Sequence, residues 1–372
     1  MAADVDTRCA EALCMRDSIG VEERMLNPNL FRRIIDAPRA ELIQAYIQIR
    51  HRDALRPAQP PTSIRIDAST VCQLRCEGCG FQKAGHRGLG GGFLTADKFR
   101  ELLDSNPQIR RVELSNYGEI FLNPELIDIM RCAFEKGVAL EAAMGVNFNT
   151  VSDEQLQALV DYRFSFISIS IDGASQAAYA QYRIGGDFNR VIANIRRLQE
   201  IKELKGKKYP ELQWQYVINE HNELEVGKAK EMARELNIPI VFKLNFMPSY
   251  QPTNREYLSR ETGLDCLTRA EWLDKHHEPY LSEDCLQMFD DPQFNWDGKL
   301  LGCCRVEHDA YGTNLFEDGL VGSLQSPRFV LAKELLLQRN PSPRKYKDLP
   351  CWSCPLRKGR AKYHKRLTPK GR

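Results

Sequence analysis

Three cysteines in one short stretch are the residues of this sequence with the clearest chemical potential. Residues 70–80 read TVCQLRCEGCG. The cysteines, Cys72, Cys76 and Cys79, have the spacing C-x3-C-x2-C. A structural zinc ion takes four protein ligands, and His86 as a fourth would make an unusual zinc pattern. An iron–sulfur cube accepts thiolates from one short loop because its corners lie close together, and three thiolates leave one iron open to an outside ligand.

A second group of cysteines lies towards the carboxyl end of the sequence. Its members are Cys285, Cys303, Cys304, Cys351 and Cys354. The last two form a C-x2-C pair, a spacing that suits zinc, so a zinc ribbon is an alternative for this group taken alone. The remaining scattered thiols are interpreted as small core residues or incidental cysteines; they are Cys9, Cys14, Cys132 and Cys266.

Composition limits the classes to which the protein can belong. The chain has 372 residues, of which 42% are hydrophobic and 27% charged, as in a soluble globular protein. It has neither an apolar run of transmembrane length nor a secretory signal, so we expect a cytoplasmic protein without a membrane partner. Because cytosolic thiols stay reduced, the 12 cysteines favour metal ligation over disulfides. The net charge of +2 gives no reason to expect nucleic-acid binding.

Alternating strand and helix patterns position the first cysteine group. Six β-rich runs alternate with amphipathic helical stretches, which predicts an α/β fold with a parallel sheet and helices outside. Such a sheet carries its chemistry at the carboxyl ends of its strands, and the three-cysteine stretch 70–80 directly follows the first run. The runs cover residues 63–69, 110–117, 139–147, 164–172, 212–219 and 238–246.

The same patterns divide the chain into three parts. Residues 1–60 are predicted to form a helical N-terminal extension that ends in a proline-rich link. Residues 61–250 contain the six βα units, and residues 251–372 contain the turn signals NWDGK and EDGLVG with the second cysteine group. We expect this last part to be a small, separate, metal-stapled domain with a mobile basic tail.

The cysteine loop and the strand ends after it resemble the radical S-adenosylmethionine enzymes. The matching segments are TVCQLRCEGCG, SNYGEIFLNPEL and SISIDGASQAAYAQYR. The resemblance implies a partial (β/α)6 TIM-like barrel with a 4Fe-4S cluster on Cys72, Cys76 and Cys79. In that family S-adenosylmethionine chelates the open iron and is cleaved reductively to a 5′-deoxyadenosyl radical, which abstracts hydrogen from the substrate. The electron is expected from an external donor such as flavodoxin or ferredoxin.

The resemblance also assigns contacts to S-adenosylmethionine. Gly118 and Glu119 match the motif that binds its amino group, a carboxylate facing an ammonium. Ser170 matches a serine that contacts the ribose, and Arg183 an arginine whose fork suits the carboxylate. Asn147, after the third strand, is a further candidate. Taken singly, the charged residues among these would be ordinary surface charges and the serine an ordinary strand residue.

One position of the cysteine loop departs from the family. The family usually has an aromatic residue just before the third cysteine, near the adenine. This sequence has Gly78 there and Phe81 after the cysteine. We therefore expect the adenine to pack differently in this protein.

The second cysteine group resembles the auxiliary-cluster domains of these enzymes, called SPASM or, in a shortened form, twitch. NWDGKLLGCC resembles their glycine turn and cysteine segment. No cysteine follows Cys354, so the resemblance implies one auxiliary 4Fe-4S cluster, fully ligated by Cys285, Cys303, Cys351 and Cys354. Cys304 is left out because it is off the glycine spacing. Full ligation makes this cluster an electron acceptor rather than a substrate site.

Together these features predict a radical S-adenosylmethionine oxidoreductase. The single auxiliary group is similar to that of aminocyclitol dehydrogenases with a twitch domain, which favours oxidation of a small polar molecule such as a sugar or aminocyclitol. Radical modification or epimerisation of a peptide or protein is one alternative, and a non-enzymatic zinc-stapled binding protein is another. Lys243 and Asn245, after the sixth strand, are candidates to face the site, and no general base is assigned.

Overall fold

The computed structural model describes residues 60–79, 88–247, 249–337 and 341–359. Residues 1–59 of the predicted N-terminal helical extension and residues 360–372 of the basic tail lie outside these residues, as do His86 and Phe81. Within the described part of the chain, no helix is both long and apolar enough to cross a membrane.

Six parallel strands follow one another in the sheet in chain order, as predicted. They are β1 (Ser63–Ile66), β2 (Arg111–Glu113), β3 (Ala139–Val146), β4 (Phe166–Ser170), β5 (Glu211–Ile218) and β6 (Ile240–Leu244). Each strand ends one to four residues before the sequence pattern does, and the leftover residues start the loops at the carboxyl ends. The α/β fold with a partial (β/α)6 TIM-like barrel is confirmed.

Helices connect these strands and cover the outside of the sheet. Side-chain caps fix the starts of four of the six helices; for example, Ser152 and Gln155 form a reciprocal capping box. The helices are α1 (Ala96–Ser105), α2 (Leu126–Glu135), α3 (Asp153–Asp161), α4 (Gln176–Tyr182), α5 (Phe188–Leu204) and α6 (Val226–Glu235), with short 3-10 helices at Ile120–Leu122 and Glu223–Glu225.

Both faces of the strands are buried, but their chemistry differs. In β4 and its extension, Ile167, Ile169 and Ile171 alternate with Ser168 and Ser170, and all five side chains are buried. Because successive strand residues point to opposite faces, one face of the sheet packs against the helices and the other presents polar groups. The barrel therefore has a polar interior.

The C-terminal segment joins the same sheet. Strand β7 (Gln293–Phe294) pairs in parallel with β1, and β8 (Leu300–Gly302) pairs antiparallel with β7. The hairpin turn between them is the predicted NWDGK turn, with Gly298 at φ 92°. The helices of this segment are α7 (Arg255–Thr262), α8 (Arg269–His276), α9 (Gln287–Asp290), α10 (Leu315–Leu324), α11 (Pro327–Leu337), α12 (Pro343–Tyr346) and α13 (Pro350–Ser353), with a 3-10 helix at Ser282–Leu286.

The second predicted turn, EDGLVG, lies within α10 and contains a break between two helical stretches. The break is at Gly319, with φ 70°. Leu315, Leu320 and Leu324 are buried, and burying this apolar side stabilises the helix despite the glycine. The turn signal was local, whereas the helix depends on packing.

Candidate metal and cofactor site

The cysteine loop after β1 is held by backbone hydrogen bonds on both sides. Glu119 donates its N–H to the carbonyl of Val71 at 2.8 Å, and Glu77 donates to the carbonyl of Tyr182 at 2.9 Å. Cys79 closes the loop on itself by donating to the carbonyl of Cys76 at 3.0 Å. The loop is therefore positioned by the segment after β2 and by the end of α4.

Gly118 is required by this close approach. Its φ is +73°, and a Cβ atom there would overlap the backbone of Ser69 and Thr70. Only glycine combines that conformation with so little space. The predicted Gly-Glu motif thus lies directly against the chain that leads into the cysteines.

Glu119 is a fully buried carboxylate without a cationic partner among the residues that the structure describes. Its oxygens accept hydrogen bonds from the backbone N–H groups of Asn147 at 2.6 Å and Phe121 at 3.4 Å. Burial raises the pKa of this carboxyl to about 7, although these hydrogen bonds and Arg183 oppose the shift. A ligand ammonium is the group that would complement this buried charge, so Glu119 fits its predicted role.

Asn147 contacts the cysteine loop with its side chain. Its Oδ1 accepts from Gln73 Nε2 at 2.9 Å, and its Nδ2 lies 3.6 Å from Cys72 Sγ. The same residue donates its backbone N–H to Glu119. Asn147 therefore links the end of β3 to both predicted groups.

Arg183 reaches the second cysteine of the loop. Its Nη1 lies 3.7 Å from Cys76 Sγ, and its Nε donates to Asp172 Oδ2 at 2.6 Å. Asp172 is fixed in turn by the N–H of Val217 at 2.7 Å. The ion pair aims the guanidinium at the cysteine loop, and the structure thus places Arg183 next to the predicted cluster.

Ser170 lies in a polar line across the strand ends. Its Oγ accepts from Gln215 Nε2 at 3.4 Å. Lys243, which lies within β6 rather than after it as predicted, donates to Gln215 Oε1 at 2.6 Å. A Cβ atom at Gly145 would overlap the serine hydroxyl. Asn245, by contrast, is used by its own turn, since its Oδ1 accepts from the N–H of Met247 at 3.0 Å.

The space next to Gly78 is filled by aromatic rings from other elements. A Cβ atom at this position would overlap the hydroxyl of Tyr182 and lie 2.9 Å from Cζ of Phe246. Tyr182 is the last residue of α4, and Phe246 lies just beyond the end of β6. The aromatic character that is missing from the cysteine loop is therefore supplied by side chains that approach it from elsewhere.

Burial makes bare thiolates unfavourable in this loop. It raises the pKa of Cys72 to about 12, with a further contribution from Glu119, and it raises the pKa of Cys76, which Arg183 partly offsets. Thiolates in such a place need a compensating cation. An iron–sulfur cluster is a group of this kind, and the donor set of the loop fits it.

The second cysteine group surrounds one cavity. Cys285, Cys303, Cys351 and Cys354 all line it, together with apolar side chains and two arginines. These are Met288, Leu336, Leu356, Arg305 and Arg357, with Asp284 beside them. The structure therefore brings together the four thiols that the sequence grouped.

Cys304 does not line this cavity. Its N–H donates to Gln287 Oε1 at 2.8 Å, and its carbonyl oxygen accepts from the hydroxyl of Tyr117 at 3.0 Å. The residue is held by its backbone, which agrees with its omission from the predicted ligands.

The spacing of the sulfur atoms can be compared with that of a single metal site. Four thiolates around one zinc ion lie roughly 3.8 Å apart, given a Zn–S distance near 2.3 Å. In the described ranges, neither cysteine group brings three sulfur atoms within 4.8 Å of one another. The wider separation favours a larger centre. One group of the described residues has its ligand atoms within this distance: Asp265, Cys266 and His276. The carboxylate of Asp265, however, already forms an ion pair with Lys275 at 3.0 Å.

Tyr117 connects the two cysteine groups and was missed by the sequence analysis. Its hydroxyl donates to the carbonyl of Cys304, and its N–H donates to Asp67 Oδ1 at 3.1 Å. Asp67 Oδ2 also accepts from Gln293 Nε2 at 3.2 Å. The only sequence signal was its position next to Gly118, which does not reveal a partner so far along the chain.

Comparison with known proteins agrees with this geometry. Residues 66–203 match the Radical SAM superfamily. A curated protein from Pyrococcus furiosus, the tungsten-containing aldehyde ferredoxin oxidoreductase cofactor-modifying protein, is 22% identical over 259 residues, which are 65% of this chain and 71% of that protein.

Solved structures share the fold over most of the chain. The crystal structure of Streptococcus suis SuiB bound to precursor peptide SuiA is similar with a TM-score of 0.58 and 14% identity, covering 92% of this chain and 77% of that one. SuiB bound to S-adenosylmethionine gives a TM-score of 0.55 with the same coverage and identity. At this identity the likeness concerns the fold.

Proposed function

We propose that this chain, whose residues 66–203 match the Radical SAM superfamily, breaks a carbon–hydrogen bond of a small polar substrate by radical oxidation. The observation that carries the proposal is the convergence of a buried carboxylate, an amide and a guanidinium on a three-cysteine loop. These groups belong to Glu119, Asn147 and Arg183.

Residues 61–250 form the proposed catalytic core. Bound S-adenosylmethionine and a 4Fe-4S cluster would supply the carbon radical that removes hydrogen. Cys72, Cys76 and Cys79 would hold the cluster, and Gly118 with Glu119 would bind the amino group of the cofactor. Arg183 would face its carboxylate and Ser170 its ribose. We propose an external flavodoxin or ferredoxin as the electron donor.

Residues 251–372 form the proposed auxiliary part. The four cysteines around the second cavity would hold a second 4Fe-4S cluster with no open position. Arg305, which is paired with Asp284, and Arg357 also line this cavity, and the charge of Arg357 would stabilise a reduced, more negative cluster. The side chains around the second cavity therefore suit a group that accepts an electron.

The polar barrel interior favours a small polar substrate. Three buried polar atoms of strands β1, β4 and β7 have no hydrogen-bond partner among the described residues: Arg65 Nε, Ser168 Oγ and Gln293 Oε1. Buried polar groups are normally satisfied, so these atoms are available to polar groups of water or ligand. The name of the Pyrococcus furiosus relative, a cofactor-modifying protein, also supports a small-molecule substrate. A dehydrogenase acting on a sugar or aminocyclitol is the favoured form of the proposal.

Modification of a peptide is the second candidate. The observation in its favour is the similarity to SuiB bound to its precursor peptide, which extends over nearly the whole chain. Deuterium transfer would separate the candidates: the enzyme is incubated with deuterated sugars, aminocyclitols and peptides, and 5′-deoxyadenosine is analysed by mass spectrometry. Label from peptides alone would replace the small-molecule proposal.

Anaerobic reconstitution tests the proposed chemistry itself. We expect about eight irons per chain, from two cubes, and 5′-deoxyadenosine after addition of reductant and S-adenosylmethionine. Stoichiometric zinc without iron would contradict the proposal and favour a zinc-stapled binding protein.

A further inference from the structure

Arg269 directs its side chain towards the carboxyl end of the barrel. It is the first residue of α8, and its Nε donates to the carbonyl of Leu244, the last residue of β6, at 3.0 Å. Its Cζ lies 4.9 Å from the ring centre of Tyr280 and 5.6 Å from that of Phe246. The guanidinium is thus fixed by one carbonyl and two aromatic rings.

This guanidinium forms no ion pair with a carboxylate in the described part of the chain. Burial lowers its pKa to about 10, as expected for a desolvated cation without a counter-ion. Other arginines of the same region are paired with carboxylates. The pairs are Arg65 with Asp291 at 3.1 Å, Arg183 with Asp172 at 2.6 Å and Arg305 with Asp284 at 3.2 Å.

The position of Arg269 lies between the two cysteine groups. Phe246, which it contacts, would be 2.9 Å from a side chain at Gly78, inside the cysteine loop. On the other side, the charges of Asp284 and Arg305 act on Arg269, and both residues line the second cavity. Arg269 therefore has neighbours from the surroundings of both cysteine groups.

The place is also open to a ligand. Phe246 is 51% exposed although it is apolar, so the aromatic wall beside Arg269 faces solvent. Because Nε is used by Leu244, the two terminal nitrogens remain for a ligand, in the fork that matches a carboxylate. The single positive charge of Arg269 would be balanced by a ligand with one negative charge. The neighbouring cation, Arg305, is already neutralised by Asp284.

We infer that Arg269 binds a carboxylate at the mouth of the barrel, and that the substrate carries it. This inference rests on the proposed function, because it places the substrate between the two clusters. It narrows the substrate class from small polar molecules to carboxylic acids, such as sugar acids or amino acids. S-adenosylmethionine also has a carboxylate, so the test must separate the two sources.

The test is chemical labelling of the reconstituted wild-type protein. Phenylglyoxal modifies accessible arginines, and peptide mapping by mass spectrometry follows Arg269 separately from an internal control, the exposed Arg131. With S-adenosylmethionine at saturation, we expect acetate to slow the labelling of Arg269 about tenfold, as for a charge-assisted contact, and acetamide at the same concentration to have no effect. Equal effects of acetate and acetamide, or none of either, would overturn the inference.

Two variants decide which molecule supplies the carboxylate. We expect Arg269→Gln to change the dissociation constant of S-adenosylmethionine less than threefold, and Arg269→Lys to behave likewise; Arg131→Gln is the surface control. If Arg269→Gln weakens cofactor binding more than tenfold, and S-adenosylmethionine alone blocks the labelling, the carboxylate belongs to the cofactor and the substrate assignment is wrong. Iron content and 5′-deoxyadenosine formation test the proposed function separately, so failure of either conclusion is recognised on its own.

Discussion

The two cysteine groups differ in number and in the chemistry around them. Three thiols of the first group lie in a loop whose neighbours are an amide, a carboxylate and a guanidinium. Four thiols of the second line a cavity with the apolar side chains of Met288, Leu336 and Leu356, and with three charged residues. Polar groups beside an incomplete donor set prepare a site for a ligand, whereas a complete donor set packed against apolar side chains prepares a closed one. The neighbours are therefore as informative as the number of cysteines.

Removing the first group should have the largest effect. With Cys72, Cys76 and Cys79 replaced by Ala, we expect the iron content to fall from about eight to about four per chain and 5′-deoxyadenosine formation to stop, because no open iron remains. Iron analysis and chromatography of the reaction measure both. Cys132→Ala, a buried cysteine of α2, is the matched control. Continued cofactor cleavage by the triple variant would show that the first group is not the radical-forming site.

Breaking the second group should leave the first intact. Cys351→Ala is expected to lose about four irons and to form 5′-deoxyadenosine while failing to complete turnover, since the second electron has no acceptor. Cys304→Ala should keep all the iron, because Cys304 does not line the cavity.

Circular dichroism must show that the Cys351 variant still folds, because the cluster also stabilises this segment. If the Cys351 variant does not fold, the iron content of the Cys304 variant still decides the ligand assignment. Loss of half of the iron from Cys304→Ala would contradict the contrast between these two neighbours.

Neutralising the polar side of the first site should have an intermediate effect. Glu119→Gln is expected to weaken S-adenosylmethionine binding about 10- to 100-fold, the size of a lost hydrogen bond to a charged group. Glu223→Gln is the control: this buried carboxylate also accepts backbone N–H groups, from Thr253 at 2.7 Å and Asn254 at 2.9 Å, but far from the cysteine loop in sequence. Titration calorimetry gives both affinities. Equal weakening would mean that Glu119 acts only through the fold.

The contact between the two regions should affect catalysis least; its expected effect is a dependence of stability on pH. Burial raises the pKa of Asp67 from 3.8 to about 8, so the native protein binds a proton that the unfolded chain releases. This contribution to stability is complete below about pH 4 and is lost as the pH rises towards 8, at up to about 1.4 kcal/mol per pH unit.

Asp67→Asn should remove this slope. Urea unfolding of metal-free wild type and variant across this range measures the difference in the free energy of unfolding. If the difference in the free energy of unfolding between wild type and Asp67→Asn does not change with pH, Asp67 is already ionised in the native protein.

Local patterns predicted more of the structure than long-range contacts did. The six strands and their helices were predicted because hydrophobic periodicity and end signals are local. The residues around the first cysteine group were predicted because each follows a strand at a recognisable motif. Two contacts join segments that are distant in the sequence: the pairing of β7 with β1, and the hydrogen bond from Tyr117 to Cys304. No local pattern in these segments specifies the partner.

The departure at Gly78 shows the same limit. The sequence showed that an aromatic side chain was missing, but not that Tyr182 and Phe246 fill the space. Their positions depend on how α4 and the end of β6 pack against the loop, which is a property of the assembled barrel. Packing likewise added helical structure on both sides of Gly319.

The pairing of β7 with β1 has a consequence for how the protein is made. Strand β1 is completed once residue 66 is synthesised, and β2 can join one side of it after residue 113. Its other side has to wait for residues 293 and 294. A nascent chain on the ribosome therefore carries an unpaired strand edge through most of translation, and such edges promote association between chains. Chains released before residue 294 keep that edge permanently, so premature termination should yield aggregates rather than a free barrel.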